Sequence, residues 1–173
     1  MPNLTPVIGV VAAHRNMGKT TLLEKLIHLL QHKGLRVCVI KHTHHDIEID
    51  RPGKDSYRFR EAGAGQVLIS SNRRWALITE TDSTSEPSLE SLIEKLHHSN
   101  PDIILFEGFK NADFPKIEVY RASTADMLYP GDRNIVAIAT DDTSLCADAG
   151  LPVFDLDAVD EIAGFVLHRF NLG

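Results

Sequence analysis

At roughly 100–200 residues per domain the 173-residue chain corresponds to one domain, and its hydrophobic and charged fractions of 43% and 24% are those of a globular rather than a disordered protein. Eighteen Lys and Arg against 24 Asp and Glu leave a formal charge of −6, which disfavours binding spread along a nucleic-acid backbone but allows a local phosphate site. No apolar stretch reaches the ~18–20 residues that span a bilayer, and Met1 to Pro6 lacks the basic segment and apolar run of a signal peptide, so a cytoplasmic protein with no membrane segment is expected.

Val7-Ile8-Gly9-Val10-Val11-Ala12 is a short continuous apolar run, the pattern of a strand buried on both faces. From Leu22 the period changes. Leu22, Leu23, Leu26, Ile27, Leu29 and Leu30 recur at helical spacing, and Gly34 stands where a helix-terminating glycine belongs. Leu35 to Ile40 predicts a second buried strand, with Cys38 between Val37 and Val39 as an inert buried thiol; neither Cys38 nor Cys146 belongs to a CxxC pair or a disulfide framework. Strand, helix and strand within about 35 residues form a right-handed βαβ unit whose ligands lie beyond the carboxyl ends of the strands.

Gln66 to Ser70 and Trp75 to Thr79 are β-prone runs separated by Ser71-Asn72-Arg73-Arg74, which predicts a hairpin inserted at about residues 66–80 of a single 1–173 domain. Its apolar residues lie on both faces and an isolated hairpin is marginal in water, so pairing of hairpins in a homodimer is expected. Leu89, Leu92, Ile93 and Leu96 form a helix stripe, Ile103 to Phe106 and Ile135 to Ala139 are further central strands, and Val159, Ile162, Ala163, Val166 and Phe170 form a helix after Asp157, which has the side chain of an N-cap. The alternation predicts an α/β fold, an open and mostly parallel sheet with helices on both faces and an inserted β-hairpin, and with Gly18-Lys19-Thr20-Thr21 between the first strand and helix it is expected to be a three-layer αβα sandwich of the P-loop NTPase type.

Between the first strand and first helix lies Ala13-His14-Arg15-Asn16-Met17-Gly18-Lys19-Thr20-Thr21, the tail of a phosphate-binding loop. In such a loop backbone N–H groups and a helix N-terminus surround a polyphosphate, the lysine reaches the β- and γ-phosphates, and the first hydroxyl ligates Mg²⁺. Ala13 stands where the motif has its first glycine, and Asn16 is a residue that tolerates positive φ. His14, Arg15, Asn16, Met17, Gly18, Lys19, Thr20 and Thr21 are therefore the candidate phosphate-binding residues.

Asp102 to Gly108 supplies the acidic partner, an apolar strand ending in Glu107, so Thr20 and Glu107 are the candidate metal-holding residues. By topology the loop from Lys41 to Tyr57 leaves the same sheet edge, which makes Lys41, Asp46 and Asp50 candidates for the γ-phosphate region; Lys19, Asp46 and Glu107 form the catalytic set. His42, His44 and His45 have no cysteine partner, and the adjacent pair points apart in an extended chain, which disfavours zinc. Asp141 and Asp142, after the strand ending at Ala139, are candidates for accepting from N1–H and N2–H₂ of guanine; the alternative is a cap or loop role.

The Gly-Lys-Thr-Thr loop, Lys41-His42-Thr43-His44-His45-Asp46, Pro52-Gly53-Lys54-Asp55-Ser56-Tyr57, Arg74-Trp75-Ala76-Leu77 and Glu107-Gly108-Phe109-Lys110 together resemble the MobB family of molybdopterin-guanine dinucleotide biosynthesis adapter proteins. The resemblance implies a dimeric GTP-binding protein with weak GTPase activity and GTP and Mg²⁺ as cofactors. It further implies a role assisting the MobA guanylyltransferase that joins GMP to molybdopterin, itself a further candidate ligand. Beside the adapter stand two other readings, a P-loop small-molecule kinase with Arg58 and Arg60 as lid arginines, and a nucleotide-independent interaction protein.

Overall fold

In a computed structural model that describes residues 5–43, 49–81, 86–122 and 126–173, the first apolar run forms β1 (Val7–Val11). It is followed by α1 (Lys19–His32), β2 (Val37–Lys41), α2 (Asp55–Glu61), β3 (Gln66–Ser70), β4 (Trp75–Thr79), α3 (Leu89–Leu96), β5 (Ile103–Glu107), β6 (Lys116–Tyr120), β7 (Ile135–Thr140), β8 (Val153–Asp155) and α4 (Val159–Phe170). Six strands form one parallel sheet in the order β2-β5-β1-β6-β7-β8, while β3 and β4 form a separate antiparallel pair. Among the described residues no helix is long and apolar enough to cross a membrane.

Contacts divide the chain into two units, one of Met1–His42 with Leu89–Gly173 and one of Thr43–Ser88. In the larger unit the strand period of two sorts the core between the sheet faces. Ile8, Val10, Ile103 and Leu105 pack with Leu22, Leu26 and Leu30 of α1 and Ile162 and Val166 of α4. Ile104 and Phe106 point the other way, against Phe114 and the Leu89 and Ile93 stripe of α3. Helices therefore cover both faces, as the alternating pattern predicts.

Three expectations change. β2 is an edge strand, so Val39 is 42% exposed and Cys38 is only half-buried; Cys146 is the buried thiol. Asp157 does not cap α4, whose N-cap is Ala158 without a side-chain bond, but pairs with Lys25 of α1 at 2.9 Å. The third is β6, absent from the sequence reading. Lys116-Ile117-Glu118-Val119-Tyr120 alternates charged and apolar residues like a half-exposed strand, yet every residue of it is buried.

Burial of those charges is possible because each is fully engaged. Lys116 Nζ donates to the carbonyls of Lys110 at 2.7 Å and Ala112 at 2.8 Å and meets the Asp132 carboxylate at 2.6 Å. Glu118 accepts from the backbone N–H groups of Leu128 at 2.7 Å and Tyr129 at 2.8 Å, although burial still pushes its carboxyl above the ordinary glutamate value.

In the smaller unit the hairpin pairs Leu68 with Leu77 and Ser70 with Trp75, and the facing Val67 and Ile78 are buried. The opposite face is open, with Leu68 63%, Trp75 67% and Leu77 45% exposed. Arg60 lies 2.8 Å from Glu80 and 3.6 Å from Asp50, and Arg58 lies 3.7 Å from Asp55. Asp50, a candidate for the phosphate region, is thus committed to an ion pair within this unit.

Candidate functional site

The turn from β1 into α1 requires two left-handed residues, Asn16 at φ 60° and Gly18 at φ 103°. Asn16 adopts the conformation expected of it. Gly18 is the N-cap of α1 and carries no capping side chain, and no acidic residue occupies the first turn, so the leading N–H groups and the positive helix end face outward together. Met17 points its side chain into the core and is 4% exposed, so of this candidate only the backbone belongs to the loop surface.

β5 lies between β1 and β2, and the register sets Glu107 beside Val10 on one strand and Lys41 on the other. Its carboxylate accepts from the Thr20 hydroxyl at 3.0 Å and meets Lys41 Nζ at 3.3 Å. Gly108 follows at φ 91°, a left-handed conformation that favours glycine and permits the turn after Glu107, while a Cβ there would stand in ordinary contact with the His42 Cβ at 3.4 Å. Lys19 Nζ donates to the His14 carbonyl at 3.3 Å. Burial, with Lys110 and Lys41 nearby, holds Lys19 below the ordinary lysine value, while Glu107 opposes that shift.

Lys110 was not among the candidates, although it ends the Glu107-Gly108-Phe109-Lys110 string. Its Nζ donates to the Ala13 carbonyl at 2.6 Å, at the start of the loop, while His14 pairs with Asp126 at 3.0 Å. Arg121, at the end of β6, was missed with its strand. It donates from Nε to the Met17 carbonyl at 3.0 Å and from Nη1 to Asp141 at 3.1 Å.

Asp141 and Asp142 are both engaged by groups of the protein itself, Asp141 by the segment after β6 and Asp142 by its own loop. Asp141 also accepts from the Ala122 N–H at 2.9 Å, and that bond together with Arg121 holds its carboxyl below the usual range. Asp142 caps the 3-10 turn Thr143–Cys146 by accepting from the Ser144 N–H at 3.0 Å and from the Ser144 hydroxyl. The cap or loop role, left open on sequence, is the one these bonds favour. Asp102, at the amino end of β5 and so at the opposite end from Glu107, pairs with Arg36 at 2.8 Å, and those hydrogen bonds lower its carboxyl to about 2. Asp46, with His44 and His45, lies outside the described residues.

Fold and site together define an open parallel α/β protein whose polar groups gather on a strand-loop-helix turn at the carboxyl edge of the sheet. The chain belongs to the MobB family: the model described as molybdopterin guanine dinucleotide synthesis protein B matches residues 7–141. It is 44% identical over 159 residues to the molybdopterin-guanine dinucleotide biosynthesis adapter protein of Escherichia coli (strain K12), covering 91% of this chain and 89% of that protein. The Haemophilus influenzae protein of the same name is 37% identical over 174 residues, covering 99% and 94%. Among solved structures, Bacillus subtilis MobB superposes with a TM-score of 0.71 at 27% identity, over 92% of this chain and 96% of that one. A crystal structure of molybdopterin-guanine biosynthesis protein B gives 0.72 at 26% identity, over 94% and 99%.

Proposed function

We propose that this protein is a GTP-binding adapter of molybdopterin-guanine dinucleotide biosynthesis, with weak Mg²⁺-dependent GTPase activity, that assists the MobA guanylyltransferase. Family membership and the names of its relatives support the adapter role. The observation that carries the nucleotide role is the 3.0 Å contact of Thr20 with Glu107 beside Lys19 at an uncapped helix N-terminus. Backbone N–H groups there bind phosphate, and Lys19, Lys41 and Lys110 supply charge around it. A hydroxyl and a carboxylate are hard oxygen donors and suit Mg²⁺, which Thr20 and Glu107 would hold, the carboxylate directly or through water. When bound, the ion neutralises charge developing on the transferred phosphate. The arginines that a kinase lid would use, Arg58 and Arg60, are paired with Asp55, Asp50 and Glu80, which favours the adapter over the kinase.

Glu107→Gln keeps the shape of the side chain and removes its charge. Single-turnover GTP hydrolysis is expected to fall about 10- to 100-fold, with GTP affinity changing far less. Full hydrolysis in this variant would move the acidic role to Asp46. A thermal-shift comparison with GTP and Mg²⁺ addresses the nucleotide-independent reading, because a ligand that binds only the native state must stabilise it.

The open face of the hairpin supports a homodimer. Its exposed Leu68, Trp75 and Leu77 form an apolar strand surface of the kind that pairs with a second copy. Leu77→Asp is expected to convert a dimer seen by light scattering into a monomer, and the emission of Trp75, the only tryptophan, to redden as the native protein is diluted. Ile78 is unsuitable for this test because it is buried inside the hairpin's own unit. A native protein that stays monomeric at high concentration would remove the dimer from the proposal.

A further inference from the structure

Beside the phosphate loop a cleft opens along the carboxyl ends of β6 and β8, lined in part by Gly18, Thr21, Lys25, Arg121, Leu156 and Asp157. Thr21 and Lys25 are four residues apart on α1 and share one helix face, so the cleft leads away from the helix N-terminus. A nucleotide whose phosphates sit at that terminus has its nucleoside end to place, and beyond the strands' carboxyl ends is where ligands of parallel sheets lie.

We propose that the Lys25 and Asp157 pair in this cleft reads the Watson–Crick edge of guanine, with Arg121 and Leu156 forming its walls. The assignment rests on the GTP reading above and specifies which groups select the base. Guanine presents an acceptor at O6 and adjacent donors at N1–H and N2–H₂. The pair presents a matching set, an ammonium donor and a carboxylate acceptor 2.9 Å apart. A carboxylate takes both guanine N–H groups at once while the ammonium donates to O6, whereas adenine offers it only one donor, at N6.

The walls suit a flat base. Leu156 is buried and apolar. Arg121, which lines the cleft, is held through Nε by the Met17 carbonyl and through Nη1 by Asp141, and a guanidinium so restrained is a flat group of the kind on which bases stack. Gly18 has a second reason to be glycine here: a Cβ would stand 3.3 Å from Arg121 Nη2, tighter than ordinary contact, and would touch Leu156 Cδ2 at 3.6 Å. The bonds that tie Asp141 to Arg121 and Ala122, and Asp142 to Ser144, make the loop after β7 the weaker candidate for the same task. Asp157 is 86% exposed, and an exposed ion pair contributes little to folding, so stability alone does not account for the pair.

The test is calorimetric titration of the full chain, native, Asp157→Asn and Lys25→Met, with the Mg²⁺ complexes of GTP, ITP, XTP and ATP, each variant first checked for native circular dichroism and melting. The native protein is expected to prefer GTP to ITP, which lacks the 2-amino group, and GTP to ATP. Asp157→Asn should lose about 10- to 100-fold in GTP affinity and gain relative affinity for XTP, whose 2-carbonyl accepts from the new amide. Lys25→Met should narrow the gap between GTP and ATP. If the native protein binds no nucleoside triphosphate, the GTP reading itself falls. If it binds GTP and the folded Asp157→Asn variant keeps the same GTP to XTP ratio, or binds no nucleotide at all, the phosphate site stands or is judged separately and this base assignment is overturned.

Discussion

Lys116→Met is expected to lower the unfolding free energy by about 3–5 kcal/mol, the cost of breaking a buried charge pair by removing one partner. Lys116 is 1% exposed, and its ammonium holds two carbonyls and the Asp132 carboxylate. Methionine fills much of the same volume, so the loss comes from stranded acceptors rather than from a cavity. Urea unfolding should show a lower midpoint at unchanged m-value. Because Asp132 is the charge left behind, Lys116→Met with Asp132→Leu should recover part of the loss, and a single variant within 1 kcal/mol of native would contradict the account. The effect reaches the site as well: Lys116 grips the carbonyl of Lys110, whose own ammonium holds Ala13 at the start of the phosphate loop. If the single variant is too unstable to isolate, the double variant carries the test through its GTP affinity, expected to be weaker than native because Lys110 is no longer held.

Lys19→Ala is expected to weaken GTP binding about 10- to 100-fold, corresponding to the roughly 1.5–3 kcal/mol of a hydrogen bond to a charged group. Its side chain already lies over the loop, donating to the His14 carbonyl, so little rearrangement separates this position from a phosphate bound at the helix N-terminus. The backbone N–H groups and Lys110 remain in the variant, which is why binding should be reduced rather than abolished. Titration calorimetry measures the change. Native affinity in a folded Lys19→Ala protein would sink the phosphate assignment.

Much of this molecule is determined by local pattern. The apolar run of β1, the stripe of α1 and the Gly18-Lys19-Thr20-Thr21 string specify a strand, a helix and the turn between them, because period, positive φ and phosphate chemistry act within a few residues. The hairpin is legible for the same reason, from two β-prone runs and a short polar turn, and Glu107 from a strand that ends in a carboxylate. That Thr20 and Glu107 meet follows once the strands are parallel neighbours.

Tertiary structure decided what depends on partners far along the chain. β6 is hidden in the sequence because Lys116 and Glu118 signal an exposed face, and only the carbonyls, N–H groups and Asp132 brought by other loops make their burial tolerable. The same holds for β2, whose composition suits an interior strand but whose place at the sheet edge leaves Val39 partly in water. Asp157 and Asp142 show the limit most directly. Each precedes a helical segment and has the side chain of a cap, yet Asp142 caps through Ser144 two residues on while Asp157 reaches across to Lys25, because a carboxylate's role is set by which donor the fold places within about 3 Å of it, and for Asp157 that donor lies far away in sequence.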